Sequence, residues 1–158
     1  IAIRSGPLRS SELKSIRLYE TRRVIVASQQ YVAAFGIPDQ PEDLTDHNWV
    51  MYSRVPETLR LAQGDQERKI PVSGSVQVDS ATARLQFLRD GHGMAVVPFS
   101  DVADDIANGD LMRVLPDWSL PDLSVYAVYS GDVMRSSKVK TLLDFLRAQL
   151  ADIDESRH

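Results

Sequence analysis

The segment DGHGMAVVPFS, residues 90–100, constrains the fold more than any other part of the 158-residue sequence. Its apolar run MAVV does not alternate with polar residues, which is typical of a strand covered on both faces. Residues 81–90 before it predict a helix with Ala81, Leu85 and Leu88 on one face. Gly91 fits the end of that helix, and Gly93 lets the backbone pack closely at the start of the strand. A helix that leads directly into a doubly covered strand indicates an α/β fold.

The two glycines around His92 do not predict a phosphate-binding loop. That loop needs the order strand, glycine turn, helix, because amides at a helix N terminus face the phosphate. Here the order is helix, glycine turn, strand. The other two histidines, His47 and His158, are distant in sequence, and no HExxH, GxSxG or GxxxxGK[ST] motif is present. We therefore expect no enzyme activity, no metal site and no cofactor.

Composition limits the partners that this segment can bind. Hydrophobic residues make up 43% of the chain and charged residues 25%, as in an ordinary soluble globular protein. The net charge is −4 and the basic clusters are short (Arg22-Arg23, and Arg135 with Lys138 and Lys140), so we expect weak DNA binding. No apolar run approaches the ~18 residues of a membrane span, so we expect no membrane partner. Cys is absent, which is compatible with a reducing compartment.

Alternating and β-rich runs predict further strands and one hairpin. The strands are IAIR, RRVIVAS, NWVMYS, SVQV, LMRVL and LSVYAVY, and a hairpin turns at Gly64-Asp65 between TLRLAQ and QERKIPV. A short helix, QQYVAAF, is predicted between a Ser28 cap and a Gly36 stop. Another helix is predicted at about 101–108. The last helix, at about 137–150, carries five apolar residues at helical spacing: Val139, Leu142, Leu143, Leu146 and Leu150.

Two places carry residues that are suited to binding a ligand. At Val78-Asp79-Ser80 a strand turns straight into a helix, and N-capping alone accounts for at least one of Asp79 and Ser80. The functional interpretation adds that the exposed amides and the helix dipole attract a small anion or a polar ligand. The second place is Arg4-Ser5-Gly6 at the end of the first strand, which is also explained by a plain surface turn.

Strand ends bring these two places into one hypothesis. In open α/β sheets, ligands bind beyond the carboxyl ends of parallel strands. The runs IAIR, SVQV and MAVV would present such ends at Arg4-Ser5, Asp79-Ser80 and Pro98-Phe99. We therefore expect a pocket for a small polar or aromatic molecule, formed by Arg4, Ser5, Gly6, Val78, Asp79, Ser80, Pro98 and Phe99.

Three stretches, in order along the chain, resemble the regulatory part of LysR-type transcriptional regulators. They are AIRSGPLRSSELKSIRLYETRRVIVASQQYVAAFGIPDQPEDLTDHNWV at 2–50, LRDGHGMAVVPFSDVADDIANGDLMRVLPDWSLPDLSVYAVY at 88–129, and SSKVKTLLDFL at 136–146. The second stretch is similar to the GLGIALLP segment of the family, with both glycines kept around His92. The third is similar to the closing SPKVRAFIDFL helix. Together these stretches cover most of the chain.

The resemblance implies a fold and a division into lobes. The expected fold is α/β and similar to type 2 periplasmic binding proteins, with two α/β lobes joined by two crossover strands and a ligand cleft between them. Residues 30–123 would form regulatory lobe II, and residues 1–29 with 124–158 would form part of regulatory lobe I. The first lobe is expected to be incomplete in this chain. The winged helix-turn-helix that binds DNA is expected to be absent from it.

The resemblance also implies a function. It indicates the effector-binding and oligomerisation region of a bacterial, cytoplasmic regulator that forms a homodimer or homotetramer. A small-molecule effector would control DNA binding by the N-terminal domain, and no catalysis is implied. An extracytoplasmic solute-binding protein of the same fold is the alternative, although the VLPDW and PEDL segments favour the regulator. Many relatives carry Asn or Ser at the start of the cleft helix, where this chain has Val78-Asp79-Ser80. An aspartate there disfavours a carboxylate effector unless it points away as the cap.

Overall fold

The computed structural model describes residues 1–6, 14–53, 58–129 and 136–155, the last five by their backbone alone. Arg135 and His158, which were considered above, lie outside these ranges. The strands are β1 (Ala2–Ser5), β2 (Lys14–Thr21), β3 (Arg23–Ser28), β4 (Val50–Tyr52), β5 (Thr58–Gln63), β6 (Gln66–Pro71), β7 (Val76–Val78), β8 (Ala95–Pro98), β9 (Leu111–Val114) and β10 (Leu123–Tyr129). The α-helices are α1 (Gln29–Phe35), α2 (Ala81–Arg89), α3 (Ala103–Asn108) and α4 (Ser137–Glu155), and 3₁₀ helices span Pro41–Asp46 and Phe99–Asp101.

The chain divides into two compact units. The first combines Ile1–Arg22 with Asp122–His158, and the second is Arg23–Pro121. These limits do not coincide with the lobe limits predicted at 29/30 and 123/124. That the units are regulatory lobes I and II stays a prediction.

The first unit is a three-stranded antiparallel sheet with one helix packed against it. The strand order is β1–β10–β2, and α4 covers β2. Its buried cluster consists of Leu18, Ala127 and Leu143. The sequence analysis did not predict β2 as a separate strand, because charged residues interrupt its short apolar alternation.

The apolar stripe of α4 is narrower than its spacing predicts. Leu143 is buried, and Val139, Leu146 and Leu150 pack against the same cluster. Leu142 is instead 44% exposed, as is the neighbouring Phe145 at 59%. The helix therefore meets its sheet along one line of side chains and leaves a second apolar line uncovered within the described residues.

The second unit is built around β3 and β8, which are buried on both faces. Ile25 and Val96 contribute to one core cluster, and Val26 and Val97 contribute to the other. The prediction that MAVV is a doubly covered strand is therefore confirmed. β3 lies between β8 and β9, antiparallel to both, and β4 pairs with β7 in parallel. A single parallel bridge between Trp49 and Met94 links β4 to the segment that enters β8.

Strand direction differs from the expectation for one of the three runs. SVQV, as β7, is parallel to β4, as expected. MAVV, as β8, is antiparallel to β3 but parallel to β4 at the Trp49–Met94 bridge. IAIR, as β1, is instead antiparallel to β10. The reason is that an apolar run reports burial and carries no information on the direction of the neighbouring strand.

The predicted helix ends and turns are confirmed. Ser28 caps α1, because its Oγ accepts a hydrogen bond from the Tyr31 N–H at 3.2 Å. Gly36 ends α1 with φ 81°, and the β5–β6 hairpin turns at Gly64 with φ 56°. Gly91 follows α2 with φ 78°, and the next residue closes the helix through an N–H that donates to Phe87 O at 3.1 Å.

The buried face of α2 does not run through the predicted residues. Leu88 is fully buried, and Leu85 packs partly against the core, as expected. Ala81 is exposed, and the second buried residue on the helix is Arg84. A charged residue therefore occupies the turn of α2 that faces the sheet.

Two glycines permit the backbone to approach the Asn48–Trp49 peptide closely. A Cβ at Gly93 would lie 2.6 Å from Asn48 O, and a Cβ at Gly74 would lie 1.6 Å from Trp49 O. The Trp49 side chain is 2% exposed, and its Nε1 donates to Leu44 O at 3.0 Å. The prediction of close packing at Gly93 is confirmed.

Tyr31 connects α1 to the same peptide. Its side chain is 2% exposed, and its Oη accepts a hydrogen bond from the Asn48 N–H at 2.9 Å. The Oη also lies 3.1 Å from His47 Nδ1. Burial raises the pKa of the Tyr31 phenol, and the hydrogen bond from Asn48 opposes this only in part.

We predict that Gly74→Ala destabilises the protein severely, because the added Cβ would overlap the Trp49 carbonyl, which is backbone and cannot turn away. The free energy of unfolding in urea should fall by more than about 3 kcal/mol. Gly64→Ala is the matched control, since Gly64 has φ 56° and no atom within 4 Å of the added Cβ. That variant should lose only about 1 kcal/mol. Equal losses in the two variants would contradict the close approach.

We predict that Tyr31 makes the protein less stable in alkali. The folded protein holds the Tyr31 phenol proton more tightly than the unfolded chain does, so the bound proton stabilises the fold. This contribution is complete below the unfolded pKa of 10.0 and is lost as pH rises through the folded pKa. Urea unfolding between about pH 9 and pH 11 should show a smaller pH-dependent loss for Tyr31→Phe than for the wild type. Identical pH profiles would contradict the burial of an ionisable phenol.

Candidate functional site

The start of α2 is the first part of the candidate site. β7 ends at Val78, whose carbonyl accepts a hydrogen bond from the Ser53 N–H at 2.8 Å. Ser80 is the cap, since its Oγ accepts from the Ala83 N–H at 3.3 Å. Asp79 is exposed and does not cap the helix. Of the two cap candidates, the structure selects Ser80.

Topology aligns the ends of three strands in the second unit. β7 is parallel to β4, and the Trp49–Met94 bridge sets β8 parallel to β4 as well. The carboxyl ends of β7, β4 and β8 therefore point to the same edge of the sheet. Pro98 ends β8 at that edge, and Phe99 opens a 3₁₀ helix and packs against the core cluster of α2 and β8. Five of the predicted site residues therefore lie at or just after strand ends that meet at one edge: Val78, Asp79, Ser80, Pro98 and Phe99.

The remaining predicted residues lie in the first unit. Arg4 and Ser5 are exposed at the end of β1, opposite Tyr126 and Val125 on β10. Gly6 has φ 88°, and its N–H donates to Ser124 O at 3.0 Å. That Arg4, Ser5 and Gly6 form the opposite wall of the pocket stays a prediction.

Arg84 is a member of the site region that sequence analysis missed. Its side chain lies one turn into α2, and the Arg84 N–H donates to Ser80 O at 3.0 Å. The residue is 6% exposed, and its Nη1 donates to Val96 O at 2.8 Å. The guanidinium carbon lies 4.7 Å from the centroid of the Tyr52 ring, a cation–π contact. Arg84 therefore joins the first turn of α2 to the ends of β4 and β8.

The charge of Arg84 is held in an apolar interior. Burial lowers the pKa of its guanidinium, while Tyr52 and Asp101 oppose that shift and Arg23 adds to it. A guanidinium keeps its proton even so, because its ordinary pKa is far above neutrality. Helical spacing was the available signal, since Arg84 and Leu88 are four residues apart on one face. Arginine is nearly always exposed, so the pattern was assigned to apolar residues alone.

A bidentate ion pair fixes the other end of α2. Arg89 Nε and Nη2 donate to the two carboxylate oxygens of Asp105 on α3, at 3.1 and 2.8 Å. The hydrogen bonds from Arg89 to Asp105 are the main reason why the pKa of Arg89 is raised. Both ends of α2 are therefore tied to neighbouring elements of the second unit.

Histidines in the described ranges have packing partners. His47 Nδ1 lies against Tyr31 Oη, and the His92 ring meets the Phe87 ring edge-on at 5.3 Å between centroids. Across residues 1–6, 14–53, 58–129 and 136–150, no group of three or more His, Asp or Glu side chains could hold a metal ion. Over the same part of the chain, no helix has the length and apolarity that crossing a membrane requires.

Comparison with known proteins assigns the family. The model of the LysR substrate binding domain matches residues 1–151. The HTH-type transcriptional activator AaeR of Escherichia coli K12 is 32% identical over 156 residues, which are 97% of this chain and 50% of that protein. The HTH-type transcriptional regulator PtxR of Pseudomonas aeruginosa is 30% identical over 152 residues, covering 95% of this chain and 49% of PtxR. The chain spans about half the length of these curated relatives.

Solved structures give the same assignment. The CrgA regulatory domain of Neisseria meningitidis superimposes with a TM-score of 0.81 at 25% identity, covering 94% of this chain and 74% of that one. Full-length AphB of Vibrio cholerae shares the fold, with a TM-score of 0.77 at 23% identity, covering 93% of this chain and 50% of AphB. The fold is the α/β, periplasmic-binding-protein-like fold that the sequence predicted. The chain belongs to the LysR substrate-binding-domain family.

Proposed function

We propose that this chain is the effector-sensing region of a LysR-type transcriptional regulator. In this proposal a small molecule binds at the carboxyl edge of the second unit and controls DNA binding by a helix-turn-helix domain outside this chain. The family match and the names of AaeR and PtxR, both HTH-type transcriptional proteins, support the proposal. The net charge of −4 is consistent with DNA binding by another segment.

The observation that carries the proposal is the convergence of strand ends with the N terminus of α2. In the first turn, the Ala83 and Arg84 N–H groups donate to Ser80, and the Ala81 and Thr82 N–H groups have no acceptor inside the helix. These two amides and the dipole of a nine-residue helix are suited to an acceptor group of a ligand. This edge therefore supplies hydrogen-bond donors for a ligand without a metal or a nucleophile.

The other side chains at this edge limit what the ligand can be. Phe99 and Pro98 are partly buried and offer an apolar surface for a ring or an aliphatic part. Ser80 Oγ offers a hydroxyl beside the helix amides. Asp79 is exposed next to them and disfavours an acid group placed directly against it. We infer a small polar or aromatic effector, and Arg4, Ser5 and Gly6 remain proposed effector-binding residues.

No specific observation favours the solute-binding alternative or an enzyme. The relatives are transcriptional regulators, and the amides, hydroxyl and ring at this edge are groups that bind a ligand and supply no nucleophile with a base. We propose that the chain acts by binding alone, as part of a homodimer or homotetramer.

We predict that Ser80→Phe abolishes the response of the complete regulator to its inducer, because the phenyl ring would fill the space beside the α2 amides. A promoter–reporter assay measures the response, and an operator gel shift verifies that the variant still folds and binds DNA. Ser80→Ala removes only the cap and should lower the free energy of unfolding by ~1 kcal/mol.

The matched control is Ser73→Phe, which adds the same ring at another exposed serine, before the amino end of β7. That variant should respond normally. A Ser80→Phe regulator with a normal response, or an equal loss in both phenylalanine variants, would count against the site.

We predict that the complete regulator is at least a dimer, because helix-turn-helix domains read two-fold operators as pairs. Analytical ultracentrifugation at micromolar protein should give a mass of two or four subunits. A stable monomer under these conditions would contradict the oligomeric part of the proposal.

A further inference from the structure

A gap separates β4 and β8 beyond their single bridge. At the bridge, the Val50 N–H donates to Met94 O at 2.8 Å, and the Met94 N–H donates to Asn48 O at 2.9 Å. In a continuing parallel ladder, the next β8 carbonyl on this side would be that of Val96, two residues along. Val96 O instead accepts the hydrogen bond from Arg84 Nη1 at 2.8 Å. Within the described residues, the guanidinium therefore occupies the position of the next ladder bond.

The guanidinium is left with an unused donor in this gap. Arginine has five N–H donors and no acceptor. Nη1 is bonded to Val96 O, whereas Nε is buried and has no hydrogen-bond partner among the described residues. Arg84 as a whole is 6% exposed, so bulk water does not reach it freely. A buried donor without an acceptor destabilises the folded state unless another group meets it.

Arg84 also lines a small cavity. Its volume is about 10 Å³, and the other lining residues are Tyr52 and six apolar residues: Trp49, Val50, Met51, Leu59, Val72 and Val96. Roughly 10–15 Å³ of this kind of volume accommodates a single water molecule. The cavity therefore matches one oxygen atom and is too small for a whole carboxylate.

A second polar partner is available on β4. Carbonyl and N–H groups of a strand alternate sides, so residues 50 and 52 direct their backbone groups to the same side. Because the Val50 N–H bonds to Met94, the Tyr52 N–H also faces β8. An oxygen in the cavity can thus accept from Arg84 Nε and from the Tyr52 backbone, which is the number of partners that a bound water needs.

We propose that the β4–β8 gap is a binding site for one acceptor oxygen, held by Arg84 Nε. A bound water molecule and an oxygen of the effector offer the same chemistry. The site does not depend on the proposed effector function, because a water meets the same donors in a ligand-free protein. Arg84 is a positioning residue in this account, since it fixes the oxygen between α2 and the sheet.

The test is a pair of crystal structures of the complete regulator, one ligand-free and one with the inducer found in the reporter assay. Density for one oxygen should appear about 3 Å from Arg84 Nε. Density in the ligand-free crystal identifies water, and density in the inducer complex alone, continuous with the inducer, identifies an effector oxygen. No density in either crystal, or a guanidinium turned so that Nε donates to a protein atom, would overturn the proposal.

Arg84→Met is the companion variant, because it keeps a long side chain and removes every donor. Its crystal should lack the oxygen peak, and Arg84→Lys, which retains a donor, should regain it. A peak of unchanged height in the Met variant would overturn the role of Arg84. If the Met variant does not fold, the wild-type density decides the question. A normal inducer response of the Ser80→Phe regulator, with the oxygen peak present in the wild-type crystal, would count against the proposed function and leave this site standing.

Discussion

The second unit depends on the close backbone contact around Asn48 and Trp49. Gly74 and Gly93 leave room for this peptide, and any Cβ at either position would overlap a carbonyl oxygen. The Asn48 side chain uses the approach, since its Oδ1 accepts from the Ser75 N–H at 2.9 Å and its Nδ2 donates to Ser75 Oγ at 3.1 Å. The segments that enter β7 and β8 are therefore clamped to the start of β4.

This clamp sets the geometry of the candidate site. Because the starts of β7, β4 and β8 lie side by side and the strands run in parallel, all three finish at the same edge of the sheet. The chain then turns into α2 at Ser80, and the end of β8 turns into the 3₁₀ helix at Phe99. Arg84 lies between these strands one turn into α2, where it fills the gap that the single bridge leaves. Backbone packing at one end of the strands thus positions the proposed ligand site at the other end.

Much of this arrangement follows from the sequence, and the exceptions have physical causes. Glycines, capping serines and the doubly apolar MAVV run act locally, so Gly93 and Ser28 were assigned correctly. Ser80 was one of two cap candidates, and it is the one that caps α2. Strand direction is set by distant partners, which a short apolar run does not identify, and for that reason IAIR was wrongly expected to be parallel to its neighbour. Arg84 was missed because its burial depends on a carbonyl and a ring supplied by β8 and β4.

Hydrogen exchange of the complete regulator, with and without its inducer, tests the central claim most directly. If the effector binds at the carboxyl edge of the second unit, the inducer should slow amide exchange at residues 80–84 and 98–102. The β5–β6 hairpin, which carries none of the proposed site residues, should exchange at an unchanged rate. Unchanged amide exchange rates at residues 80–84 and 98–102, with slower exchange elsewhere in the chain, would contradict the account.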